Sequence, residues 1–224
     1  NPDNPPKTWF EVQEAAGKLV DAGSTCAFTT SWPAWVLIDN MSARNGGEVN
    51  DERGRLAFNG LLQVKHVAML ASWHKSKYFT YFGRRDEADR RFGNGECAML
   101  TSNSALYANL VAKNTVDVGV SALPYHDDAY GAPKPALADG ASLWVGSGLK
   151  AAETKGVAKF VNYVLGPEVQ VGLTLAGGYL PMTSVARTAA GSKLMKSDLL
   201  GLQVAYAQLQ GAAVQPALRV SQIE

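Results

Sequence analysis

The chain has 224 residues, 46% of them hydrophobic and 18% charged, enough apolar material for a sizeable core in one large domain or two small ones. Its 21 basic and 20 acidic residues give a formal net charge of +1 and no long Lys/Arg run, so binding to nucleic acid is not expected. No apolar run approaches the roughly 20 residues that a membrane-spanning helix needs.

In chain order, Thr8-Trp9-Phe10-Glu11 reads as a capping box. It opens a helix that buries Phe10, Val12, Ala16, Leu19 and Val20 and closes near Gly23. A strand is expected from Cys26 to Thr30, then a helical segment with Pro33 in its first turn, ending at Gly46-Gly47. Glu48 to Arg55 reads as an exposed loop. Asn59 to Lys75 reads as an amphipathic helix with Leu62, His66, Met69, Leu70 and Trp73 on one side. A short charged helix follows from Arg85 to Phe92, then a strand at Cys97 to Leu100 and a helix after Ser104. Asp117 to Leu123 and Ala141 to Val145 read as two further strands. Beyond Ala151 the pattern is helical over Val157 to Leu165, Pro167 to Leu175 and Leu199 to Leu209, broken by a turn at Gly177-Gly178-Tyr179-Leu180-Pro181. Strands alternating with helices predict an α/β layer structure, with few strands for so many helices.

Residue chemistry favours binding over catalysis. His66, His74 and His126 form no HExxH and no close metal spacing. There is no GxSxG around a serine and no P-loop. Asp127-Asp128, among turn formers, reads as a solvated loop. Arg84-Arg85 and Arg90-Arg91, interleaved with Asp86, Glu87 and Asp89, read as a solvated helical face with ion pairs. Cys26 and Cys97 permit a disulfide, and buried free thiols are at least as well supported. Thr101-Ser102-Asn103-Ser104 sits at a strand-to-helix junction, where it can cap the helix, offer hydroxyls to an anion, or both. Ser31-Trp32-Pro33-Ala34-Trp35 occupies the same architectural position. Trp32 is placed to face a cleft, while Trp35, inside the helix, reads as core. Tyr179 offers a hydroxyl on a Gly-rich turn.

PPKTW, FGNGECAM, DVGVSALPY, GASLWV, KFVNYVLGPE and GGYLP occur here in an order that resembles the periplasmic solute-binding proteins of the maltose-binding class. VKHVAML, YFGRRDEADRRF, GECAMLTSNS, DGASLWV, GVAKFVNYVLGPE and AGGYLPMT resemble, within that class, the glycerol-phosphate receptors of ABC importers. The resemblance implies a type II periplasmic-binding-protein-like α/β fold, with helices around a small mixed sheet in an incomplete two-lobe architecture that lacks most of the first lobe. Residues 1–125 would be second lobe, 126–136 a hinge connector, 137–185 a return to the first lobe, and 186–224 second-lobe helices.

It also implies a monomeric periplasmic receptor with no cofactor and no catalysis. That receptor would hold sn-glycerol-3-phosphate or a glycerophosphodiester between its lobes and pass it to ABC permease subunits in the inner membrane. Carried over by resemblance, Trp32 would pack on the glycerol moiety. Ser104, or alternatively Ser102, would bind a phosphate oxygen, Gly140 would present a backbone amide, and Tyr179 would donate its hydroxyl. Asp139 departs from the family's glycine. The family's phosphate-binding arginine would fall beyond the stretch LRVSQIE, in which Arg219 is not its substitute. The alternatives are a receptor of the same fold for an uncharged sugar and, from another class, an α/β hydrolase.

Overall fold

The computed structural model describes residues 4–51, 53–129, 131–138, 140 and 142–209. Two short parallel strands, β1 (Phe28–Thr30) and β2 (Met99–Thr101), pair in the register Phe28↔Met99, Thr29↔Leu100, Thr30↔Thr101. On the far side of β1 the chain around Phe79 runs parallel to it, with the Thr80 N–H donating to the Phe28 carbonyl and the Thr29 hydroxyl to the Thr80 carbonyl. Parallel strands need crossover connections, and helices supply them.

The first helix, α1 (Trp9–Asp21), starts on the expected reciprocal cap: the Thr8 hydroxyl accepts from the Glu11 N–H, and the Glu11 carboxylate from the Thr8 N–H. Its buried residues are Trp9, Val12 and Ala16, whereas Phe10 is exposed, which corrects the expected face. The chain after β1 forms a π-helix (Ala34–Asn40) that runs into α2 (Met41–Arg44). Then come α3 (Leu61–Lys75), α4 (Glu87–Gly93) and, after β2, α5 (Ser104–Lys113). Trp9, Val12, Phe28, Val36, Leu37, Met41, Trp73 and Phe79 form one core. A second, smaller core joins Ala108 of α5 to Leu194, Leu199 and Leu202. Around it pack α7 (Pro167–Gly177), α8 (Ser184–Leu194) and α9 (Leu202–Gln208).

The two later strand expectations fail. Residues 117–123 and 142–145 carry no ladder, because no neighbouring chain among the described residues offers them a backbone partner; Ala141 lies outside those residues. Leu143, Trp144 and Val145 are exposed, Trp144 at 92%. Helix α6 (Ala151–Val164) likewise buries none of its residues, and its Phe160 and Tyr163 face outward. The described residues thus form a helix-rich body around a small sheet.

Cys26 and Cys97 form a disulfide. The register extended two residues back from Phe28↔Met99 sets them side by side, with Cα atoms 4.6 Å apart, so free thiols are not what the fold makes of them. Behind the strands, His66 Nδ1 and His126 Nε2 lie 3.0 Å apart, and the Trp9 ring sits 4.7 Å from that of His66. The pair ties α3 to the segment that follows residue 123, and the His126 N–H donates to the Asn45 side-chain oxygen. Burial, reinforced by the neighbouring His126, pushes the His66 imidazole down to about 3. Burial also lowers His126, with Lys65 acting the same way.

Two outcomes follow from these contacts. Replacing both cysteines by serine removes a cross-link spanning 71 residues, for which chain entropy alone predicts a loss of about 4 kcal/mol in urea unfolding; equal stability would contradict the cross-link. His66 is neutral when folded and must charge when unfolded. Its contribution is therefore complete above pH 6.5 and is lost as pH falls toward 3. Between pH 6.5 and about 5, where carboxylates remain ionised, the urea midpoint should fall, and a flat profile there would count against a buried neutral pair.

Candidate functional site

Both strands point their carboxyl ends the same way, and the residues just beyond them are Ser31-Trp32 and Ser102-Asn103-Ser104. In open α/β sheets this is where ligands collect. The Ser31 N–H donates to the Thr101 carbonyl at 3.0 Å, and the Thr101 hydroxyl to the Thr30 hydroxyl at 2.9 Å, locking the two ends together. Beneath them lies Asp89 of α4. One carboxylate oxygen, Oδ1, accepts from the Ser31 hydroxyl and, at 3.1 Å, from the Ser102 hydroxyl. Burial holds the Asp89 carboxyl above its ordinary value against the opposing pull of those two hydroxyls.

Trp32 follows directly, and its backbone is left-handed at φ 51°, a costly conformation for an aromatic residue. It is held there by its N–H, which donates to the Arg85 carbonyl at 2.7 Å. The indole lines a cleft of about 570 Å³ together with Trp35, Tyr81, Arg84, Arg85 and Glu87. Trp35 also lines this cleft while packing against the core around Val36, Leu37 and Met41, as its place inside the helical segment predicts.

At the second strand end, Asn103 is the helix cap: its side-chain oxygen accepts from the Leu106 N–H at 3.0 Å, and Ser104 opens α5. Capping is therefore one role of this stretch. Against that first turn lies the Gly-rich turn. Gly178, at φ 70°, closes α7, and a Cβ there would stand 2.5 Å from the Ser104 carbonyl oxygen. Only glycine allows this approach, which brings Tyr179 next to the α5 terminus with 56% of its surface exposed. The structure thus joins Ser102 to the Trp32 strand end through Asp89, and Ser104 to the Tyr179 turn. Gly140 is exposed, and a Cβ there would meet nothing within 4 Å, so no contact joins it to this group. Asp139, Arg219 and the LRVSQIE stretch lie outside the described residues.

Several residues at the site escaped the sequence reading. Asp89 was assigned to a solvated face with Arg84-Arg85; instead it is partly buried under both strand ends, and the two arginines line the cleft. The signal available was the pairing of an acidic helix with two serine-bearing strand ends, which becomes visible only once the strands are paired. Arg91 makes an exposed ion pair with Glu96 at 2.7 Å, a partner outside the Asp86, Glu87 and Asp89 set.

Comparison with known proteins places the fold first. The structure superposes on maltose-bound MalE3 of T. maritima with a TM-score of 0.72 at 20% identity, covering 91% of this chain and 54% of the other. It superposes on UgpB from Mycobacterium tuberculosis, solved in complex with glycerophosphocholine, with a TM-score of 0.72 at 21% identity, covering 90% and 51%. These are type II periplasmic binding proteins, and this chain has their fold.

The bacterial extracellular solute-binding protein family matches residues 2–199, and the chain belongs to it. It is 42% identical over 193 residues to the sn-glycerol-3-phosphate-binding periplasmic protein UgpB of Pectobacterium atrosepticum, covering 83% of this chain and 44% of that protein. The same protein of Yersinia enterocolitica is 40% identical over the same extent. The chain therefore spans less than half the length of these curated relatives.

Proposed function

We propose that this chain is part of a periplasmic receptor of an ABC importer that captures sn-glycerol-3-phosphate, or a glycerophosphodiester such as glycerophosphocholine, between two lobes and delivers it to the membrane permease. The observation that carries the reading is the arrangement at the two strand ends: an indole held at the lip of a cleft on one, and a capped helix terminus touching a tyrosine-bearing turn on the other. An indole face suits a glycerol backbone. A helix N-terminus with hydroxyls suits a phosphate. The names of the relatives at about 40% identity support the same ligand class.

In this reading Trp32 packs against the glycerol moiety, and Ser104 and Tyr179 donate to phosphate oxygens. Ser104 is preferred to Ser102 because a serine has one hydroxyl hydrogen, and that of Ser102 is directed at Asp89. Gly140 contributes its backbone amide once the other lobe is in place. Residues 137–185 form the segment that returns to that lobe. The exposed Leu143, Trp144 and Val145 and the unburied α6 support this, and α7 is where the segment rejoins α5 and α8. Binding proceeds without chemistry. Contacts made only in the closed form supply the differential affinity that shifts the open–closed equilibrium.

The reading is tested by calorimetric titration of the protein at its full natural length with sn-glycerol-3-phosphate, with maltose as control. Micromolar or tighter binding of the phosphate alone is expected. Heat with maltose and none with the phosphate would point to an uncharged sugar ligand. Trp32→Ala should weaken phosphate-ester binding by about tenfold or more, some 1.4 kcal/mol. An unchanged affinity would remove Trp32 from the site.

A further inference from the structure

We propose that Arg84 and Arg85 form the cationic wall of the Trp32 cleft, holding the anionic group of the ligand and setting the preference for a charged over a neutral one. The inference rests on the reading of the two strand ends together as one phosphate-ester site and adds, on the Trp32 side, the positive charge that such a ligand requires. Trp32, Trp35 and Tyr81 give this wall its aromatic faces, and its charged side chains are Arg84, Arg85 and Glu87, an excess of one positive charge.

The turn that carries the arginines is fixed from both ends. The Arg85 carbonyl accepts the Trp32 N–H at 2.7 Å, so the residue bearing the guanidinium is hydrogen-bonded directly to the residue bearing the indole. The Arg85 N–H donates to Glu87 Oε2 at 2.7 Å. That carboxylate folds back over Gly83, where a Cβ would stand 2.3 Å from its Cδ, so a side chain at position 83 would expel it. Glu87 is thus committed to the backbone of its own turn, and those amide donors, more than any side chain, hold its carboxyl below the ordinary value.

Arg85 is drawn electrostatically toward the Glu87 carboxylate, but it does not close on it as an ion pair. Both arginine side chains are exposed to the cleft, and among the described residues neither takes part in an ion pair, unlike Arg55, Lys65 and Arg91. A guanidinium presents a planar fork of donors that matches two phosphate oxygens, and it strengthens as water leaves a closing cleft. Asp86, next in the chain, stands at the N-cap position of α4 without a side-chain cap bond and does not line the cleft; Asp89 lies below, engaged by Ser31 and Ser102. A neutral ligand gains nothing from this wall, whereas an anionic one gains a partner that the serine and tyrosine hydroxyls do not supply.

The test is calorimetric titration of the full-length protein and of its Arg84→Gln/Arg85→Gln variant with sn-glycerol-3-phosphate at low and high NaCl, with circular dichroism as a check on folding. The variant is expected to bind about tenfold or more weakly, with a shallower dependence on salt than the wild type. Equal affinity and equal salt dependence in the two proteins would overturn this inference and leave the receptor reading standing. Should the double variant not fold, salt-independent affinity in the wild type would overturn the inference by itself. Failure of the wild type to bind either the phosphate or glycerophosphocholine would overturn both.

Discussion

One carboxylate oxygen holds the site together. Asp89 Oδ1 takes the hydroxyl hydrogens of Ser31 and Ser102, the residues immediately beyond the two parallel strands, and so fixes where both chains leave the sheet. A partly buried carboxylate is costly to keep ionised, and burial does raise its affinity for a proton. Two hydroxyl donors offset that cost. What they secure is direction: Trp32 is the next residue after Ser31, and it can hold a left-handed backbone, worth about 1–3 kcal/mol of strain, only because its neighbours leave it no alternative. The Ser31 N–H to Thr101, the Trp32 N–H to Arg85 and the Ser31 hydroxyl to Asp89 together over-determine that one position.

The rest of the body serves this geometry. The disulfide fixes the entry of both strands as Asp89 fixes their exit, so a sheet of only two short strands keeps its register. Trp9, Phe28, Trp73 and the His66–His126 pair fill the space behind it. A carboxylate under the proposed anion site sets a physical problem, since its field would oppose such a ligand. The two arginines that line the cleft oppose that field, while Asp89 spends its acceptor capacity on the serines.

Local chemistry was legible in the sequence. The capping box at Thr8, the cap at Asn103 and Pro167 at the start of α7 each depend on residues within one turn, and each occurs as expected. So does the placing of Trp32 at a cleft. Long-range placement was not legible. Trp9 rather than Phe10 enters the core because the Thr8–Tyr125 bridge sets the rotation of α1, and no window around residue 9 contains Tyr125. Residues 142–145 have a strand's composition and lack the partner that would make them one. Likewise Asp89 reads as one more charge on a polar helix until β1 and β2 are paired above it.

The most direct test of this account is a crystal structure of the protein at its full natural length with sn-glycerol-3-phosphate bound. The account predicts the glycerol moiety against the Trp32 indole, phosphate oxygens within hydrogen-bonding distance of the Ser104 and Tyr179 hydroxyls, and Asp89 still engaged by Ser31 and Ser102. A ligand seated away from the two strand ends, with Trp32 not touching it, would contradict it.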